Sequence, residues 1–130
     1  MKRLRHRPHQ RIKSSGDFAR VYREGSRARS GILVVAVASN GRDYSRLGLS
    51  VGKRIWKSAV RRNRVRRLFR EAFRLSRDQL PTGLDIVLIP AAPRLDPRLE
   101  EVRRDLVAMC AKAHRRFREK KEVEKQESGS

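Results

Sequence analysis

The sequence predicts an α+β fold, with helices packed on a mostly antiparallel sheet, and three observations carry that expectation. Ile32 to Ala38 is an almost unbroken β-branched and apolar run of strand length. Apolar residues recur at helical spacing in three stretches, around Phe18, Val65 and Leu106. These stretches follow one another as helix, two or more strands, helix, strand, helix, an order that segregates helices onto a sheet.

Residues 1–13 carry six Lys or Arg and no acid, and Pro8 and the lack of periodicity predict a flexible basic arm. Ser14-Ser15-Gly16-Asp17 offers an N-cap to a short helix. Phe18, Val21 and Tyr22 then fall at i, i+3 and i+4, and Gly25 supplies the stop. Ile32 to Ala38 reads as a strand buried on both sides. Asn40-Gly41 is a hairpin-type signal, so the chain is expected to return through Tyr44, Leu47, Leu49 and Val51 as a second strand. Gly52 ends it, Lys53 to Lys57 form a basic connector, and Ser58 is placed to cap the next helix.

That helix is expected from about Ala59 to about Arg77. Pro81-Thr82-Gly83 makes a turn, and Asp85 to Ile89 is a short strand closed by Pro90. Asp96-Pro97 looks like an N-cap followed by proline at the first helical position. Leu99, Val102, Leu106, Met109, Cys110, Ala113 and Phe117 form the apolar stripe of the last helix. Residues 121–130 are polar and mixed in charge, which predicts disorder. The expected organisation is therefore a flexible arm over 1–13, a single domain over 14–120 and a disordered tail over 121–130.

The chain has 130 residues and a formal net charge of +20, with 34 Lys or Arg against 14 acids. Such a charge strains the compact state unless a polyanion offsets it. No stretch reaches the roughly 18 apolar residues of a membrane span, and residues 1–13 lack the apolar block of a secretory signal. Cys110 is the only cysteine, and His6, His9 and His114 have no ligand spacing. A protein-held metal is not expected, and a reducing cytoplasm is the natural compartment.

From Lys53 to Arg77 there are eleven Lys or Arg and one acid, Glu71, a net +10. Stepping about 100° per residue places Val65, Leu68, Phe69, Ala72 and Leu75 on one face. Asn63, Arg66, Arg67, Arg70, Arg74 and Arg77 fall on the other. Solvated helix faces usually mix signs to gain i,i+4 pairs. A one-signed stripe costs free energy unless phosphates supply the counter-charge, and arginine's planar fork suits phosphate and stacks on unpaired bases. Asn63 suits either a base edge or ribose hydroxyl, or a capping role. A helix flanked by strands fits backbone recognition of folded RNA better than a helix-turn-helix reading of DNA.

The stretch Leu47-Gly48-Leu49-Ser50-Val51-Gly52-Lys53-Arg54, followed by Arg62-Asn63-Arg64-Val65-Arg66-Arg67-Leu68-Phe69-Arg70-Glu71-Ala72-Phe73-Arg74, resembles the bacterial ribonuclease P protein family. Asp17 to Gly25 and Asp85 to Pro90 are similar to two further blocks of that family, so the resemblance covers about residues 10 to 117. It implies a two-layer αβββαβα sandwich with a left-handed βαβ crossover through the arginine-rich helix, against the general right-handed rule. The third early strand it requires is expected around Arg27 to Ser30.

The resemblance also implies a function. The protein would join a catalytic ribonuclease P RNA and help remove the 5′ leader of precursor tRNA, as a subunit without catalytic residues of its own. Magnesium held mainly by the RNA would do the chemistry, with no cofactor bound by the protein alone. Lys53, Arg54, Arg62, Asn63, Arg64, Arg66, Arg67 and Arg70 match the surface that lies against the catalytic RNA, and Arg74 extends the stripe. Phe18 and Tyr22 match the leader cleft, although on the sequence alone they also read as core residues. Trp56 suits either stacking on RNA or tucking beneath the basic loop. Neither a membrane nor a stable protein partner is expected. The rival reading is a structural RNA-binding protein of ribosomal type, and a DNA-binding regulator comes third.

Overall fold

The structure, a computed structural model, describes residues 10–128. Helix α1 (Ser15–Glu24) begins where the Ser14 hydroxyl accepts from the Asp17 amide at 3.0 Å. Strands β1 (Ser26–Arg29), β2 (Leu33–Ser39) and β3 (Arg46–Leu49) follow. Helix α2 (Ala59–Ser76) is capped by Ser58, whose hydroxyl accepts from the Arg61 amide at 3.3 Å. A 3-10 turn, strand β4 (Leu84–Pro90) and helix α3 (Leu99–Ser128) complete the chain. The early strand expected near Arg27 to Ser30 is β1.

The sheet order is β1-β2-β4-β3, with β1, β2 and β4 antiparallel and β3 parallel to β4. This corrects the expected hairpin. The chain does turn at Asn40-Gly41, where Gly41 takes φ +70° and the Asn40 side chain accepts from the Arg42 amide at 2.8 Å. It does not then pair β3 with β2, because β4 lies between them. The physical reason is burial: β4 is a seven-residue, largely apolar strand buried over most of its length, while four-residue β3 suits an edge. The β3–α2–β4 unit is thus a crossover between parallel neighbours.

Strand alternation gives the two sheet faces different jobs. Leu33, Val35, Val37, Ile86, Leu88 and Leu47 point to one side and are buried under α2 and α3. Those helices contribute Val65, Phe69, Ala72 and Phe73, and Val102, Leu106, Cys110, Ala113 and Phe117. Burial pushes the Cys110 thiol up to about 12, so it acts as a small core hydrophobe, as expected.

The other face includes the small residues Ala36, Ala38 and Gly48, and α1 crosses it closely. A Cβ added at Gly48 would stand 2.9 Å from the Phe18 ring. Helix α1 covers only one end of this face, so Val34 and Ile89 stay half-buried. Asp85, also on this face, pins the helix. Its carboxylate accepts from Arg46 at 2.7 and 2.6 Å, from Asn40 at 3.2 Å and from Arg20 of α1.

Gly25 closes the turn from α1 into β1. A Cβ there would run into the carbonyl oxygens of Val37 and Val21. Gly25→Ala is therefore expected to lower stability by about 1–3 kcal/mol through backbone displacement, read as a shifted denaturant midpoint with an unchanged slope.

Three boundaries differ from the sequence expectation. The arm over 1–13 falls outside the described residues up to residue 9. Its end is no free arm, since the Ile12 amide donates to the Leu47 carbonyl at 2.9 Å and Ile12 is buried. Arg11 and Ile12 thereby cover the open edge of β3. The expected disordered tail is helical through Ser128, with i,i+3 pairing of Lys121 and Glu124 at 3.4 Å, and residues 129–130 lie outside the described range. Asp96-Pro97 sits just ahead of α3, whose start is satisfied by Glu101 accepting from the Arg98 amide at 2.9 Å.

Candidate nucleic-acid interface

Helix α2 buries Val65, Phe69, Ala72, Phe73 and Ser76 and turns its arginines outward, as the periodicity predicts. The structure divides those arginines by what they already hold. Arg62 donates to the carbonyls of Trp56 and Lys57 at 2.9 and 2.8 Å. Arg66 donates to the Val51 carbonyl at 2.8 Å and to the Asn63 side chain at 3.0 Å. These two therefore fasten the Val51 to Lys57 loop onto the helix. Arg74 pairs with Glu71. Lys53, Arg54, Arg64 and Arg67 are exposed and Arg70 is half-buried, with no carboxylate partner among the described residues.

The N-cap of α2 belongs to Ser58, which leaves the Asn63 side chain exposed and bonded, among the described residues, to Arg66. Trp56 is tucked partly against the core, and the Arg61 guanidinium lies 4.8 Å from its ring centroid.

At the β3 edge, Arg66 and Arg70 from α2 meet Phe18 from α1 across Leu47 and Leu49, with Arg11 and Ile12 alongside. The cavity they enclose is about 280 Å³. Its floor is apolar and its rim carries three guanidinium groups. Partial burial, then the charges of Arg11, Arg66 and Arg67, lower the Arg70 pKa below the ordinary arginine value. Burial is the larger cause, and the neighbouring positive charges add to it in the same direction. Tyr22, one turn along α1, is half-buried with the Arg27 guanidinium 5.2 Å from its ring centroid. Phe18 thus packs on the core and lines the cavity, whereas Tyr22 packs on the core without lining it.

The sequence reading missed Arg11 and Ile12, which it left in the arm. The signal was Ile12 itself, a large apolar residue inside a basic stretch. It also missed the Asp85 clamp, signalled by a lone acid at the start of an otherwise apolar strand. Among the described residues no cluster of His, Cys, Asp and Glu could hold a metal, and no helix is long and apolar enough to cross a membrane.

Fold and site together define a basic α+β protein that presents an arginine-bearing crossover helix beside a cleft. The family model described as Ribonuclease P matches residues 7–114. A ribonuclease P protein component from Clostridioides difficile is 40% identical over 92 residues, 70% of this chain and 80% of that protein. A solved structure of the Staphylococcus aureus RNase P protein superposes with a TM-score of 0.67 at 32% identity, covering 77% of this chain and 91% of that one. The RNase P protein from Thermotoga maritima gives 0.66 at 36% identity, covering 75% and 92%. The chain belongs to the ribonuclease P protein component family.

Proposed function

We propose that this chain acts as the RNA-binding subunit of a ribonuclease P holoenzyme that removes the 5′ leader of precursor tRNA. The exposed arginines of α2, with Lys53 and Arg54, bind the catalytic RNA, and the cleft beside α1 takes the single-stranded leader. The observation that carries this reading is the cavity at the β3 edge. It places an aromatic ring, an apolar floor and uncompensated guanidinium groups together, the combination that binds single-stranded nucleic acid by base stacking and phosphate contact.

In this reading magnesium held mainly by the RNA supplies the hydrolytic chemistry, and the protein supplies affinity and orientation. A positive surface beside the RNA lowers phosphate repulsion and so reduces the magnesium that the complex requires. The compartment that fits is the cytoplasm. Leader removal by the cognate RNA, titrated with magnesium with and without the protein, tests the proposal. The midpoint is expected to shift to lower magnesium when the protein is present. Unchanged cleavage and unchanged precursor affinity at near-physiological salt would sink the proposal.

A further inference from the structure

Two rows of residues, the first buried at its centre and the second half-buried, cross the sheet on the α1 side and end on basic side chains of the strand opposite the β3 cavity. Register places Arg27, Ala36, Val87 and Gly48 in one row and Arg29, Val34 and Ile89 in the next. Directly paired residues share a face, so the Arg27 and Arg29 side chains stand on the face that α1 crosses. The first row ends at Gly48, which touches the Phe18 ring. The second has a half-buried apolar floor in Val34 and Ile89.

Both arginines are exposed, and neither has a carboxylate partner among the described residues. Arg27 lies over the Tyr22 ring, and Arg29 donates to the Ala91 carbonyl at 2.9 Å, which holds it at the lip of the sheet. The α1 face therefore carries two guanidinium groups at its β1 edge, while Arg11, Arg66 and Arg70 gather around the β3 edge at its other end, with an apolar floor and two aromatic rings between. From β3 to β1 it spans three strand spacings, about 14 Å at roughly 4.8 Å each. Charge at one end alone would suffice for a single nucleotide. Charge at both ends suits a strand that crosses the whole face.

We propose that Arg27 and Arg29 form a second phosphate-binding rim, gripping the part of the single-stranded leader that has crossed the sheet from the Phe18 cavity to the β1 edge. The proposal rests on the leader reading above and adds to it where the leader goes. The competing role is edge protection, since charged side chains on an edge strand discourage strand addition. That role predicts no dependence on leader length.

Precursor tRNAs with a leader too short to reach β1 and with one long enough to cross the sheet distinguish these possibilities. Each is bound, over a salt series, to the holoenzyme assembled with wild-type protein, R27A/R29A or R27K/R29K. For the wild type, affinity is expected to rise with leader length. R27A/R29A is expected to bind the long-leader precursor about fivefold more weakly while matching wild type on the short one. Its long-leader salt slope falls by about 1.4, two single-strand phosphate contacts. R27K/R29K recovers most of the slope, which a purely structural loss would not. Equal behaviour of R27A/R29A and wild type on both precursors overturns the proposal and leaves the leader reading standing. An equal loss on both also overturns it, by showing a general effect on the fold. A wild-type affinity indifferent to leader length removes the leader reading and this proposal together.

Discussion

Replacing Asp85 with alanine is expected to lower the unfolding free energy by about 3–5 kcal/mol, the cost of breaking a buried ion pair from one side. The carboxylate is fully buried and serves four donors: two from Arg46, one from Arg20 and one from Asn40. Without it, the Arg46 side chain, 11% exposed, keeps among the described residues only Asp17, at 3.4 Å, as an acidic partner. Burial alone would raise the Asp85 pKa. The hydrogen bonds from Arg46 and Asn40 and the charges of Arg46 and Arg20 outweigh it and hold the carboxyl below its ordinary value. A depressed native pKa contributes stability that is present above the unfolded carboxylate pKa, about 3.9. That stability is lost as pH falls through the lower native value. Asp85→Asn should therefore be less costly than alanine and should flatten the acid limb of the stability profile. Urea melts of the three proteins at neutral and acid pH measure this. If Asp85→Ala melts at the wild-type denaturant concentration, α1 is held by something other than the clamp. Because the clamp fixes α1, the wall carrying Phe18 and Tyr22, leader affinity should fall in Asp85→Asn more than affinity for the catalytic RNA.

What the sequence made legible was local. The Ile32 to Ala38 and Asp85 to Ile89 runs, the Ser14 and Ser58 caps and the one-sided stripe of α2 each depend on residues within a few positions of one another. What it hid was long-range. Asn40-Gly41 announces a reversal but says nothing of which strand will lie beside β2, and β4 enters that place from more than forty residues on. The Asp85 clamp joins partners 39, 45 and 65 positions away. Composition misled at the tail, where mixed charge reads as disorder yet also supplies the i,i+3 pairs of a helix. Charge also left the arginines undivided. Arg62 and Arg66 look like Arg64 and Arg67 in the sequence, and only the path of the Val51 to Lys57 loop shows that the first two are occupied in holding it.

That division makes Arg70→Ala the sharpest separation of function from folding. Arg70 sits among Arg11, Arg66 and Arg67 with no carboxylate partner among the described residues, so its charge is a cost to the free protein. Removing it should leave the melting temperature unchanged or slightly raised, most visibly at low salt, where repulsion is least screened. Binding should move the other way. Loss of one charge-assisted arginine–phosphate contact at a partly enclosed site is expected to weaken precursor affinity by roughly tenfold, with the salt slope smaller by about 0.7–0.9. Arg66→Ala makes the internal comparison. It also loses the bond to the Val51 carbonyl, so it should bind more weakly and melt lower, whereas Arg70→Ala only binds more weakly. Residues selected for stability alone would not be expected in this arrangement, because Arg70 adds like-charge repulsion to the free chain. An Arg70→Ala protein that kept both wild-type affinity and wild-type salt slope would place the cavity off the RNA, and the charge concentrated there would need a different polyanion.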